Sequence, residues 1–251
     1  MENEINNTSA QKNNISNNAT IIIVAFLIVI ALIVLKMPKN NPTNTQNADT
    51  NKPSKTNVNL SPITSTDHIR GDINAPVVIV EYSDTECPFC KAFHNTMKQI
   101  LAQYNGKVAW VYRHMPLDCQ EGTKLNCQVV HNRARNEALA TECASDQGGD
   151  AMFWKYLDEV FNRTTSNDTL DPAQLPAIAS SLGLDMNKFN TCMSTKKYAD
   201  KIKNDEQSGE NAGGEGTPYS VIVIKKTNQT LPLFGNQPIK NITSFLDTVI
   251  K

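Results

Sequence analysis

The sequence predicts an α/β domain built as strand, helix and strand, then a helical block, then a hairpin and a closing helix. Three observations carry this. Residues 76–82 (Pro-Val-Val-Ile-Val-Glu-Tyr) form a nearly continuous apolar, β-branched run, as in a strand covered on both faces. From Pro88 onward Phe89, Phe93, Met97, Ile100, Leu101 and Tyr104 recur at three- and four-residue spacing, the pattern of an amphipathic helix. Strand patterns then return only after a long stretch of helical periodicity over residues 129–210.

Asn105-Gly106 stops the first helix, since both residues tolerate positive φ. Residues 107–113, with Val-Ala-Trp-Val-Tyr at the centre, form the second strand. Strand, helix, strand in that order implies a right-handed crossover and a parallel pair. In the helical block, Met152, Phe153, Tyr156, Leu157, Val160 and Phe161 make one stripe, and Leu175, Ile178, Ala179 and Leu182 another. Asp171-Pro172 reads as a helix start between them, and Asp185 as the cap of a helix carrying Phe189, Cys192, Met193 and Ile202. The block is an insertion rather than a second domain, because residues 219–225 and 230–234 resume the strand pattern as a hairpin. Ile242, Phe245, Leu246, Val249 and Ile250 give the last helix.

The N-terminal part differs in kind. Residues 1–18 are polar and Asn-rich, the composition of a disordered tail. Residues 19–37 enclose an unbroken apolar run, about 28 Å long as a helix, which matches one bilayer crossing better than a core helix. No small-x-small cleavage pattern stands at residues 34–39, so an uncleaved membrane anchor is expected. Residues 38–65, rich in Pro, Asn, Thr, Ser and Lys, read as a flexible linker reaching roughly 30 Å, ahead of a domain at 66–251. Lys36 and Lys39 follow the span while Glu2, Glu4 and Lys12 precede it, a bias that on its own would place the domain in the cytoplasm. The formal net charge of -1, from 24 Lys+Arg against 25 Asp+Glu, gives no electrostatic reason to expect a nucleic-acid partner.

The chemistry concentrates in Cys87-Pro88-Phe89-Cys90, at the junction of buried strand and helix. A thiol at a helix N-terminus is stabilised as the thiolate, the attacking species in disulfide exchange. Cys90, one turn on, is placed to resolve a mixed disulfide, and Pro88 occupies a position that needs no N–H. The alternatives are half a zinc site or a structural bridge. A zinc site needs a second ligand pair, and Cys119, Cys127, Cys143 and Cys192 form no further Cys-x-x-Cys. No metal and no cofactor are expected.

The stretch from Ile69 to Cys90, the Arg113-His-Met-Pro-Leu117 segment, Gly216-Thr217-Pro218 ahead of a strand and Gly235-Asn-Gln-Pro238 together resemble the DsbA-like thiol–disulfide oxidoreductases. The resemblance covers residues 66–251 and implies a thioredoxin-like fold with an inserted helical subdomain. It implies that Pro218 is a cis-proline presenting the Thr217 backbone to a substrate strand beside Cys87. It further implies that Glu81 is a buried acid exchanging a proton with Cys90; from the residues alone Glu81 reads equally as a surface carboxylate. Strong oxidants of this family carry His between the cysteines, where this chain has the neutral Phe89.

The other cysteines read as structural: Cys119 with Cys127 by nearness along the chain, and Cys143 with Cys192 as the remaining pair, although four cysteines allow three connectivities. His68, His114 and His131 have no spacing that argues for catalysis and read as loop or helix-end residues, and His94, two turns beyond Cys87, does not stand in for a cation between the cysteines. The expected activity is a membrane-anchored dithiol oxidase acting on reduced or misoxidised exported polypeptides outside the cytoplasm. A quinone-linked membrane oxidoreductase would re-oxidise it. A reductase with the same site and a non-redox peptide clamp are the alternatives.

Overall fold

The computed structural model describes residues 57–118 and 131–250. The tail, the expected span at 19–37, Cys119 and Cys127 lie outside the described residues. No helix among the described residues is long and apolar enough to cross a membrane.

Five strands form one sheet in the order β1-β3-β2-β4-β5: β1 (His68–Arg70), β2 (Val77–Ser83), β3 (Val108–His114), β4 (Tyr219–Ile224) and β5 (Gln229–Phe234). Strands β2 and β3 pair parallel, Val77 against Val108 through Ser83 against His114. The other three pairings are antiparallel. Every residue of β2 is buried, which is why its sequence lacks polar alternation. Helix α1 (Pro88–Gln103) makes the crossover and ends where Gly106 takes φ +73°. The short β1 went unread because three residues carry too little periodicity to register.

Between β3 and β4 stand four helices: α2 (Ala134–Arg163), α3 (Gln174–Ser181), α4 (Met186–Ser194) and α5 (Ala199–Asn211). Helix α2 kinks at Gly148-Gly149, where Gly149 takes φ +60°, a conformation that costs a residue with a Cβ. Asp171-Pro172 forms a turn two residues ahead of α3. Asp185 caps α4 through the Asn187 and Lys188 N–H groups. The single helix expected through Cys192 and Ile202 is two, broken where Lys196 turns to φ +50°. Helix α6 (Ile239–Val249) closes the chain.

Alternation along β2 splits the core. Val77 and Ile79 pack with Trp110 of β3 and with α1, α6 and the second half of α2 through Phe93, Met97, Leu157 and Leu246. Val78, Val80 and Tyr82 pack on the opposite face with Met115, Ala212 and Val221. Residues 57–65, expected as the end of a linker, belong to this second layer. Val58, Leu60 and Ile63 pack against it, and the Val58 N–H donates to the Thr230 carbonyl at the edge of β5. Apolar residues spaced among Pro, Asn and Thr are enough to dock a segment whose carbonyls find a donor. That donor is Arg113, whose guanidinium reaches the Ser61 and Pro62 carbonyls, the Tyr82 hydroxyl and both oxygens of Asp67.

Arg113 and Asp67 are both buried, so removing one partner strands the other's charge. Arg113→Met is expected to lower unfolding stability by roughly 3–5 kcal/mol. Chemical denaturation monitored by tryptophan fluorescence measures it.

Candidate active site at the end of the buried strand

Strand β2 ends at Ser83, and the chain turns through Asp84, Thr85 and Glu86 onto the N-terminus of α1. Cys87 occupies the N-cap with extended backbone and Pro88 the first helical position. Cys87 and Cys90 are free thiols, Cys87 only 4% exposed and Cys90 fully buried. The Cys87 thiol donates to the Thr217 carbonyl at 3.4 Å, and the Thr217–Pro218 peptide is cis. The Asp84 N–H donates to Cys90 Sγ at 3.4 Å. Cys87, Cys90, Thr217 and Pro218 are therefore together, while Pro88 and Phe89 face outward, Phe89 being 63% exposed.

The two thiols are driven apart. Hydrogen bonding from Cys90 outweighs burial and, with Thr217, brings Cys87 down to about 6. Burial, and then the neighbouring Cys87, push Cys90 well above its ordinary value. Of the pair, Cys87 therefore ionises first and Cys90 keeps its proton longer.

Glu81 lies on the α1 face of β2 with no exposure, its Oε2 accepting from Trp110 Nε1 at 2.8 Å. Burial pushes its carboxyl up to about 8 against hydrogen bonds that lower it, and the Cys87 charge adds to the rise.

Three groups beside the cysteines were not singled out by the sequence. The Asp84 carboxylate accepts from the Glu86 N–H, the Leu117 N–H and His131 Nδ1. Glu86 accepts from the Asp168 N–H at 2.6 Å and from the Thr164 hydroxyl. It thereby ties the active-site turn to residues 166–168, all three of which have positive φ. Glu137, in the first turn of α2, has no hydrogen-bond partner on either oxygen, and burial, then Glu86, push it up to about 9. Nothing local in the sequence marks Asp84, Glu86 or Glu137. The histidines are corrected too: all four are buried. His94 pairs with Asp158, His68 and His114 both reach Glu142, and His131 reaches Asp84. Cys143 and Cys192 are joined by a disulfide between α2 and α4, S–S 2.01 Å.

The sequence profile described as "Thioredoxin" matches residues 63–232. The chain belongs to the thioredoxin family. Among solved structures, Pseudomonas aeruginosa DsbA2 is 29% identical, with TM-score 0.57, over 72% of this chain and 93% of that one. Wolbachia pipientis α-DsbA1 is 26% identical, with TM-score 0.61, over 75% and 92%. Bacillus subtilis BdbD, at 18% identity and TM-score 0.61, shares the fold over 77% of this chain and 98% of its own. The chain thus carries a thioredoxin-like fold with a helical insertion, similar to that of these DsbA structures. Sequence relatives also include the Na(+)/H(+) antiporter NhaA 3 of Salinispora tropica, 34% identical over 61% of this chain, and NhaA of Herminiimonas arsenicoxydans, 30% over 72%. The matched stretch covers only 21% and 25% of those relatives' lengths. The likeness is to one portion of each.

In this DsbA-like protein Glu81 is held above its unfolded value of 4.5, so its stabilising contribution is complete below that pH and lost as pH rises through about 8. Glu81→Gln removes the penalty for ionising in the core. The variant is expected to gain on the parent as pH rises from about 4.5, by roughly 4 kcal/mol at pH 8. Denaturation curves of both proteins at acid and alkaline pH check the sign.

Proposed function

We propose that this DsbA-like protein is a dithiol oxidase of exported polypeptides, held at the membrane by residues 19–37 with the domain of residues 66–251 outside the cytoplasm. The observation that carries the direction is the split between the two thiols: a stable Cys87 thiolate favours the reduced enzyme, and so favours giving the disulfide away. In the forward reaction a substrate thiolate attacks Cys87 Sγ of the Cys87/Cys90 disulfide. The S–S bond breaks, its electron pair goes to Cys90 Sγ, and Glu81 supplies the proton that Cys90 keeps. A second substrate thiolate attacks the substrate sulfur of the mixed disulfide and expels Cys87 as thiolate. The substrate leaves oxidised and the enzyme holds two electrons. A quinone-linked membrane oxidoreductase would take those electrons from the pair. The Thr217 backbone pairs with the substrate strand, and the exposed Phe89 and Phe234 suit apolar segments of unfolded chains.

The reductase reading is favoured by one feature, the neutral Phe89 between the cysteines. The reduction potential separates the two: near about −120 mV the protein is an oxidase, near about −270 mV a reductase. Cys87→Ser is expected to abolish oxidative refolding of a reduced substrate, while Cys90→Ser accumulates mixed disulfides visible on non-reducing gels. Undiminished turnover by Cys87→Ser would defeat the dithiol mechanism.

Location has its own test. Outside the cytoplasm, Cys143 with Cys192 and Cys119 with Cys127 should be oxidised when thiols are alkylated at the moment of lysis. Four labelled thiols at these positions would put the domain in the cytoplasm, as Lys36 and Lys39 suggest.

A further inference from the structure

Asp84 puts a carboxylate on the residue whose backbone touches both active-site cysteines. Its carbonyl accepts from the Cys87 N–H at 3.2 Å, and its N–H donates to Cys90 Sγ at 3.4 Å. A bare carboxylate there opposes the negative sulfur that disulfide exchange needs. Two backbone N–H groups, those of Glu86 and Leu117, satisfy Asp84 as dipoles. Among the described residues one basic side chain pairs with it: His131, Nδ1 to Oδ2 at 3.0 Å, with side chains 5% and 0% exposed. His131 is pinned from behind as well, since its backbone N–H donates to the Leu117 carbonyl at 3.0 Å. Leu117 thus holds both members of the pair. The chain that carries His131 runs directly into α2, where Asp168 accepts the Asn132 and Arg133 N–H groups.

We propose that His131 is a positioning residue of the dithiol site: as a cation on Asp84 it cancels the carboxylate's charge beside the sulfurs and sustains the Cys87 thiolate, in place of a cation between the cysteines. The ionisable groups facing the imidazole are Asp84 from the turn after β2, Cys87 from the start of α1, and Asp168 from the loop after α2. The hydrogen bond to Asp84 raises His131 above its ordinary value, against burial, and the charges of Asp84, Cys87 and Asp168 act in the same direction. Asp84 in turn opposes the Cys87 thiolate. Burial first, and then Glu86, push the nearby Glu137 up to about 9, which limits the negative charge to be compensated. The proposal rests on Cys87 and Cys90 being the exchanging pair, and is indifferent to the direction in which they run.

Coupling between two ionisations is reciprocal, so it is legible from either side. In the purified full-length protein, the ultraviolet absorbance of the Cys87 thiolate is titrated in parent and His131→Gln. The variant's midpoint is expected to rise by about one pH unit, a partly buried charge's worth. Its glutathione equilibrium should move roughly fivefold toward the disulfide at neutral pH. An unchanged midpoint overturns the proposal. Should the variant not fold, the parent alone decides: the His131 imidazole is titrated by NMR in the reduced and the oxidised protein. Oxidation removes the Cys87 charge, so the His131 midpoint should fall. Equal midpoints in the two redox states overturn the proposal. A parent that exchanges no disulfides defeats the functional reading instead, and the two failures stay distinct.

Discussion

The active site depends on how one carboxylate is satisfied. Asp84 sits where β2 runs out of sheet and the chain must turn into α1, with no ladder to occupy its polar groups. Its side chain takes the Glu86 and Leu117 N–H groups and the His131 ring, and its backbone holds Cys87 and Cys90. Four segments are fixed by this residue: the end of β2, the cysteine turn, the loop leaving β3 and the entry to α2. Buried polar groups need partners, and here the partners come from parts of the chain that would otherwise have no reason to meet.

Around that hub lies an unusual amount of buried acid. Glu81, Asp84, Glu86 and Glu137 are all buried within the same region as the thiols. Four negative charges would make a thiolate there untenable. The structure divides them by environment. Glu81 and Glu137 have few donors and are pushed toward neutrality by burial. Glu86 keeps its donors by capping the turn at residues 166–168, and Asp84 keeps its own through backbone amides and His131. Glu81 and Glu137 can therefore hold protons close to the thiols, as a reaction that moves protons with each exchange requires.

The helical insertion is held to the sheet by hydrogen bonds as well as by apolar contact. Glu142 of α2 receives His68 of β1, His114 of β3 and Lys201 of α5. Against burial, which raises it, the hydrogen bonds from His114 and His68 and the Lys201 charge hold Glu142 well below the usual carboxylate range. Inside the insertion, the Cys143–Cys192 bridge joins α2 to α4 across a sequence separation of 49, a loop for which cross-linking stabilises by about 4 kcal/mol on the chain-entropy model.

Local pattern determined much of this protein. The continuous apolar run of β2, the three-and-four spacing of α1, the Asp185 cap and the cysteine pair at the strand–helix junction are each written in adjacent residues. Short-range periodicity and capping chemistry suffice to read them. What tertiary structure alone decided is which charges meet. His131 is 47 residues from Asp84, Glu137 lies far along the chain from Glu86, and Arg113 finds the carbonyls of Ser61 and Pro62 across the sheet. No periodicity encodes such pairings, because a side chain's protonation is set by the burial and partners that folding brings to it. The same limit hid the docking of residues 57–65. Their composition is that of a linker, and only the donor supplied by Arg113 and the open edge at Thr230 make them part of the domain.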